Sequence, residues 1–271
     1  MTAPVAAYAI DSSEAKRIDE LKRTVSASRL ICWQTCRLKF YFRYVLQIKR
    51  PSSAAQYVGS MVHLVLQAWN LARWRNKPMQ LADFKTFLEE KWALKRHEIN
   101  WYGEEKEDQE TAWKILERYF AETPIPPDEK PEAVEVSVEA DLKAKGLPNV
   151  IGIIDLVRKG GVIVDFKTTG QTPNAERSTH LNETQLSCYG VLYRETTGQH
   201  EQGFELHQLV KLKKPKLVVS ALPTMTVSQE HRLYRIMESY LDGLDRQDWI
   251  PSPNPMTCAC CEYFTECRAW S

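Results

Sequence analysis

Asp155, Asp165 and Lys167 lie within GIIDLVRKGGVIVDFKTTG, residues 152–170. Carboxylates are hard oxygen donors that hold ions such as Mg²⁺. An amine beside them can orient an attacking water or neutralise charge building on a phosphate. The apolar runs on either side of Gly160-Gly161 read as two strands of a hairpin. If Lys159-Gly160-Gly161 is the loop, Arg158 faces Val162 and Asp155 faces Asp165. A two-residue Gly-Gly loop would set Asp155 opposite Phe166 instead. In the first register the two Cβ atoms are roughly 5 Å apart, and like charges directly opposite repel. A divalent cation would offset that repulsion. Asp165 and Lys167, two apart on a strand, share a face, and Phe166 points into the opposite layer. An Asp-x-Lys pair alone is more often a solvated ion pair; the matching acid across the hairpin makes this a candidate site.

Three further patterns are compatible with chemistry. His63 sits between Val62 and Leu64 in GSMVHLVLQ, where a histidine by itself is usually a core residue. Gln185 and Tyr189 are four apart and occupy one helical face. Cys258, Cys261 and Cys267 form a Cys-x₂-Cys-x₅-Cys tail, with Cys260 as an alternative to Cys261. A fourth thiolate from elsewhere would complete a Cys₄ site for Zn²⁺ or an iron-sulfur cluster.

The elements that must position these residues are legible as patterns. Helices are expected across residues 14–50, 59–74 and in two amphipathic stretches ending near Thr123, before the proline-rich PIPPDEKPE. Strands follow: AVEVSVEADL, NVIGIIDLVRK and GVIVDFKTT. NETQLSCYGVLYRET reads as a helix, GFELHQLVKLKKPKLVVSALP as one or two strands, and SQEHRLYRIMESYLDGLDRQDW as a closing helix. The expected organisation is a flexible segment 1–25, a helical part 26–130, an α/β core 131–250 and a cysteine tail 251–271 that packs back on the helical part.

Taken in order, Gly152-Ile-Ile-Asp155 followed by Asp165-Phe166-Lys167 resembles the core motif of the PD-(D/E)XK nuclease superfamily. SASRLICWQTCRLKFYFRYV, GSMVHLVLQ, the Gln185-x-x-x-Tyr189 pair and the cysteine tail resemble its RecB-like and Cas4-like iron-sulfur exonuclease branch, over about residues 26–268. The resemblance implies an α/β, restriction-endonuclease-like mixed sheet flanked by helices. It implies His63, Asp155 and Asp165 as ligands of Mg²⁺ or Mn²⁺ with the Phe166 carbonyl, Lys167 positioning water, and Gln185 and Tyr189 contacting DNA phosphate or supporting the site. It also implies a structural [4Fe-4S] cluster on Cys36, Cys258, Cys261 and Cys267, with Cys32 as an alternative to Cys36. A histidine ligand points to Mn²⁺ serving at least as well as Mg²⁺. Many relatives carry glutamate where this chain has Asp165. Whether Glu135, on the strand before the hairpin, joins the site is open. The implied activity is a metal-dependent exonuclease on mainly single-stranded DNA, in CRISPR adaptation or in phage or repair processing with partner proteins. The alternative is a non-catalytic DNA-binding or assembly subunit.

Bulk properties set bounds. The 271 residues carry a formal net charge of +1, so any polyanion is bound through a local patch. Two patches qualify: Arg37, Lys39 and Arg43 among Phe40, Tyr41, Phe42 and Tyr44, whose rings read as core, and Lys211, Lys213, Lys214 and Lys216. No run reaches the roughly 18 apolar residues of a membrane span. With no export signal recognised, the seven cysteines suit a reducing cytoplasm and metal binding over disulfides.

Overall fold

A computed structural model describes residues 11–99, 101 and 104–270. The elements are α1 (Ser12–Arg23), β1 (Thr24–Val25), α2 (Ala27–Thr35), α3 (Arg37–Phe40) with a π-turn Tyr41–Val45, α4 (Ala54–Trp74), α5 (Leu81–Lys95) and α6 (Glu105–Glu122). They continue as β2 (Ala133–Ala140), β3 (Asn149–Arg158), β4 (Val162–Thr169), α7 (Ala175–Leu181), α8 (Glu183–Thr197), β5 (Gly203–Val210), β6 (Lys216–Leu222), α9 (Val227–Arg246), α10 (Pro255–Cys258) and α11 (Phe264–Ala269). Residues 1–10 of the expected flexible segment lie outside the described residues; its remainder is α1 and β1.

The chain divides into two compact units. One comprises residues 1–50, 141–151 and 231–271, the other residues 51–140 and 152–230. The helices α4 to α6 therefore belong with the sheet, and the first fifty residues with the cysteine tail.

In the sheet unit, β3, β4, β5 and β6 are neighbours in that order, and β2 lies beside β3. β4 and β5 run parallel; β3–β4 and β5–β6 are antiparallel. The sheet is thus mixed and flanked by helices, as expected. The hairpin takes the three-residue loop, with Arg158 facing Val162 and Leu156 facing Val164. Gly160 and Gly161 hold φ values of 90° and 79°, a region glycine enters without steric cost. One face of the sheet is sealed by an apolar cluster that joins Val58, Val62, Val65 and Leu66 of α4 and Ile115, Leu116 and Tyr119 of α6 to Leu156, Val164, Phe166 and Leu209. α4 starts with a capping box, Ser53 Oγ accepting from Gln56 N and Gln56 Oε1 from Ser53 N, which satisfies donors left open in the first turn.

In the other unit, β1 pairs in parallel with Asn149 and Val150. Its core is aromatic: Trp33 packs edge-on against Phe40 and Tyr240, and Tyr41 stacks on Trp249. Phe40, Tyr41 and Phe42 are buried. Arg37 pairs with Asp248, and Lys39 with Glu262 at 2.9 Å. The basic-aromatic stretch is therefore largely scaffold. Among the described residues no helix is long and apolar enough to cross a membrane.

Candidate active site

β4 places the first part of the site. Val164 and Phe166 belong to the apolar face under α4 and α6, so Asp165 and Lys167 take the other, which α8 covers. Lys167 Nζ lies 3.1 and 2.9 Å from the two oxygens of Asp165 and donates to Gln185 Oε1 at 2.6 Å. Gln185 Nε2 donates to Asp165 Oδ1 at 2.9 Å and to Tyr189 Oη at 2.8 Å. The Tyr189 hydroxyl reaches Asp165 Oδ1 at 3.4 Å. The i, i+4 spacing of Gln185 and Tyr189 thus puts both on the helical face that holds Asp165.

Asp165 is 1% exposed. Its Oδ2, although near the ammonium, receives no hydrogen bond. Burial pushes the Asp165 carboxyl up; the Lys167 ammonium opposes this, and the Asp155 charge adds to it. Burial first, then the charge of Asp165, also raises the Tyr189 phenol, so it stays a neutral donor.

β3 and β2 place the second part through irregularities. A Cβ on Gly152 would meet Leu192 of α8 at 2.8 Å, yet Leu156 joins the cluster under α4. Residues an even number apart normally share a face, so the alternation changes phase between them. Asp155 falls within that stretch, and its Oδ2 accepts the Phe166 amide N–H at 3.0 Å. On β2, Glu135 has φ 48°, a left-handed conformation that costs a side-chain-bearing residue about 1–3 kcal/mol and clusters at functional sites. α4 supplies His63, whose Nδ1 is 3.7 Å from Asp155 Oδ2. Its approach depends on Gly59 one turn earlier, where a Cβ would lie 2.9 Å from Thr168 Oγ1 of β4.

One ligand atom each of His63, Glu135 and Asp155 lies within 4.8 Å of the others. One nitrogen and two carboxylate oxygens fit Mn²⁺ or Mg²⁺, and the unbonded Asp165 Oδ2 is a further buried acceptor suited to a cation. Glu135, left open by sequence, is brought into this group, whereas Asp165 is held by Lys167 and Gln185 beside it. The missed signal was backbone strain, which a strand pattern does not reveal. Burial, then the Asp155 charge, raises the Glu135 carboxyl to about 7, the behaviour of an acid poised for a cation.

The cysteines gather separately. Burial raises the Cys267 thiol, and the charges of Cys36, Cys261 and Cys258 add to this. Cys36 Sγ accepts from Lys39 N at 3.5 Å and Cys258 Sγ from Asn254 N at 3.3 Å. Cys32 is buried, which pushes its thiol to about 11. Cys260 is exposed. Among the described residues no three thiols lie as close as the His63 group.

The match to a known family falls on this frame. Residues 24–268 match the model of the PD-(D/E)XK nuclease superfamily, and the chain belongs to that superfamily. Its members use divalent metals, and the His63–Glu135–Asp155 group could bind one. The crystal structure of a candidate exonuclease from Eubacterium rectale superposes with a TM-score of 0.61 at 15% identity, covering 98% of this chain and 94% of that one; this likeness is one of fold. The structure of the protein SSO0001 aligns at 14% identity over 94% of each chain, with a TM-score of 0.45. Among curated proteins no similar sequence was found.

Proposed function

We propose that this protein is a divalent-metal-dependent DNA nuclease, working as an exonuclease mainly on single strands. The observation that carries the reading is the hydrogen-bonded Asp165–Lys167–Gln185–Tyr189 brace, built on buried Asp165 and Tyr189, beside the His63, Glu135 and Asp155 donors. His63, Glu135 and Asp155 would hold the ion, with Asp165 Oδ2 and the Phe166 carbonyl as further ligands. A bound ion would polarise the phosphoryl oxygens and acidify its water. The chain's own contribution is positioning. Gln185 fixes the Lys167 ammonium by accepting from it, and its amide is in turn oriented by Asp165 and Tyr189. The ammonium is thereby held ready to orient the attacking water and to offset charge building on the phosphate. An intact acid–lysine set of this kind favours an enzyme over a non-catalytic assembly subunit.

We also propose a structural [4Fe-4S] cluster on Cys36, Cys258, Cys261 and Cys267. The mutual influence of these thiols and the N–H donors on two of them support it, since hydrogen bonds to sulfur accompany such ligands. The cluster-bearing branch suggests cytoplasmic work in CRISPR adaptation or in phage or repair DNA processing, alongside partner proteins.

The test is end-labelled single-stranded DNA incubated with Mn²⁺ or Mg²⁺. Stepwise shortening by the parent, abolished in Asp165→Ala while any iron is retained, is expected. Binding without cleavage under either metal would sink the catalytic reading.

A further inference from the structure

The chain has almost no net charge, yet one end of the sheet concentrates cations that the site above does not use. The turn between β5 and β6 and the start of β6 read KLKKPK, residues 211–216. Lys213, Lys214 and Lys216 are exposed, as is Arg177 of α7. Among the described residues these four cations make no ion pair with a carboxylate. Lys211 differs: its ammonium bears on Asp108, whose carboxyl burial pushes up and Lys211 pulls down.

The sheet register aims this patch. Paired residues on neighbouring strands point to the same face. Lys167 pairs with Gln208 and Thr169 with Val210; across the next ladder Gln208 pairs with Val218 and Val210 with Lys216. Lys216 therefore shares the face of Lys167, one side-chain row further along and two strands across. At about 4.8 Å per strand and 3.3 Å per residue, that is roughly 12 Å between Cα atoms. α7 is fastened to the same face by Gln208 Nε2, which donates to Ser178 Oγ at 3.3 Å; exposed Arg177 precedes Ser178 on that helix. The turn itself is tied to the end of β4 by Lys211 N donating to Thr169 O at 2.7 Å.

We propose that Lys213, Lys214 and Lys216, with Arg177 beside them, form a phosphate track. It would grip the backbone of single-stranded DNA a few nucleotides from the bond held at Lys167. Unpaired surface cations on a chain of near-zero net charge suit a polyanion bound on one face, and sequence-independent contacts of this kind release counterions. This rests on the nuclease reading for the position of the bond, but the track itself is a binding surface and is measured separately.

The test compares the parent with K213Q/K214Q/K216Q and with a charge-matched control, K77Q/K130Q/K159Q, which removes lysines away from this turn. Affinity for fluorescein-labelled dT20 is measured in EDTA against salt, and cleavage of dT20 and of the dinucleotide TpT is measured with Mn²⁺. At about 0.7 counterions per phosphate, losing three contacts should flatten the log–log salt slope by about 2. Affinity should then fall by up to roughly a hundredfold at 0.1 M salt, converging near 1 M. KM for dT20 should rise while kcat and TpT cleavage hold, with the control close to the parent. Unchanged slope and affinity in the track variant, or an equal loss in the control, would overturn the track. A parent that fails to cleave while the track variant still loses dT20 binding would reject the nuclease reading and leave the track standing.

Discussion

At the scale of single residues, the site is a set of groups each unstable without a partner. Glu135 is the clearest, with φ 48° and a carboxyl raised to about 7 from an ordinary 4.5. An acid whose folded-state pKa is raised contributes stability in full below its unfolded pKa and loses it as pH rises through the folded one. In EDTA the protein should therefore lose stability between about pH 4.5 and 7 from this group, with buried Asp165 acting in the same direction. Glu135→Gln should flatten that part of the profile and exceed the parent in stability above pH 7, read by urea denaturation at pH 5 and 8. Mn²⁺ should in turn raise Tm more at pH 8 than at pH 6, because binding requires the ionised carboxylate, and Glu135→Gln should remove most of that difference. Lys167→Met should retain a metal-dependent Tm shift and lower cleavage by about 10²-fold or more; equal loss of metal response would reassign the lysine to metal-site architecture.

Elements deliver those residues by close approach and by breaks in regularity. α4 brings His63 to Asp155 only because Gly59 lets the helix run against Thr168. Gly59→Ala adds helix propensity of about 1 kcal/mol but places a methyl 2.9 Å from Thr168 Oγ1. Cleavage should fall about tenfold, since small displacements of catalytic groups are costly. Thr168→Ala in the same chain should restore most of it. Failure of that rescue would mean that the α4–β4 spacing does not set the position of His63.

For the whole molecule, the second unit draws its residues from both chain ends, 1–50 and 231–271. Tyr240 Oη donates to Leu21 O at 3.1 Å and Tyr263 Oη to Ile48 O at 2.9 Å. A cluster joining Cys36 to Cys258, Cys261 and Cys267 would add its binding energy to this closure. Cys267→Ser, purified without oxygen, should lose iron and unfold at lower temperature, whereas Cys32→Ser should keep its iron. Stoichiometric zinc in place of iron would replace the cluster with a single ion.

What the sequence determined was mostly local. The alternation of residues 133–140, the apolar runs on either side of the Gly160-Gly161 turn and the 3.6-residue repeats identified strands and helices, because those patterns follow from backbone geometry alone. Asp165 and Lys167 on one strand face, and Gln185 and Tyr189 on one helical side, follow from the same periods, whereas the choice between the two hairpin registers came from the structure. Tertiary structure decided the rest. Only the phase change in β3 and the left-handed φ of β2 bring Glu135 to Asp155, and neither leaves a periodic trace. Only the division of the chain set the helices of residues 51–122 with the sheet and the first fifty residues with the tail. Such contacts link residues far apart in sequence, and no local preference encodes which partner a buried face will find.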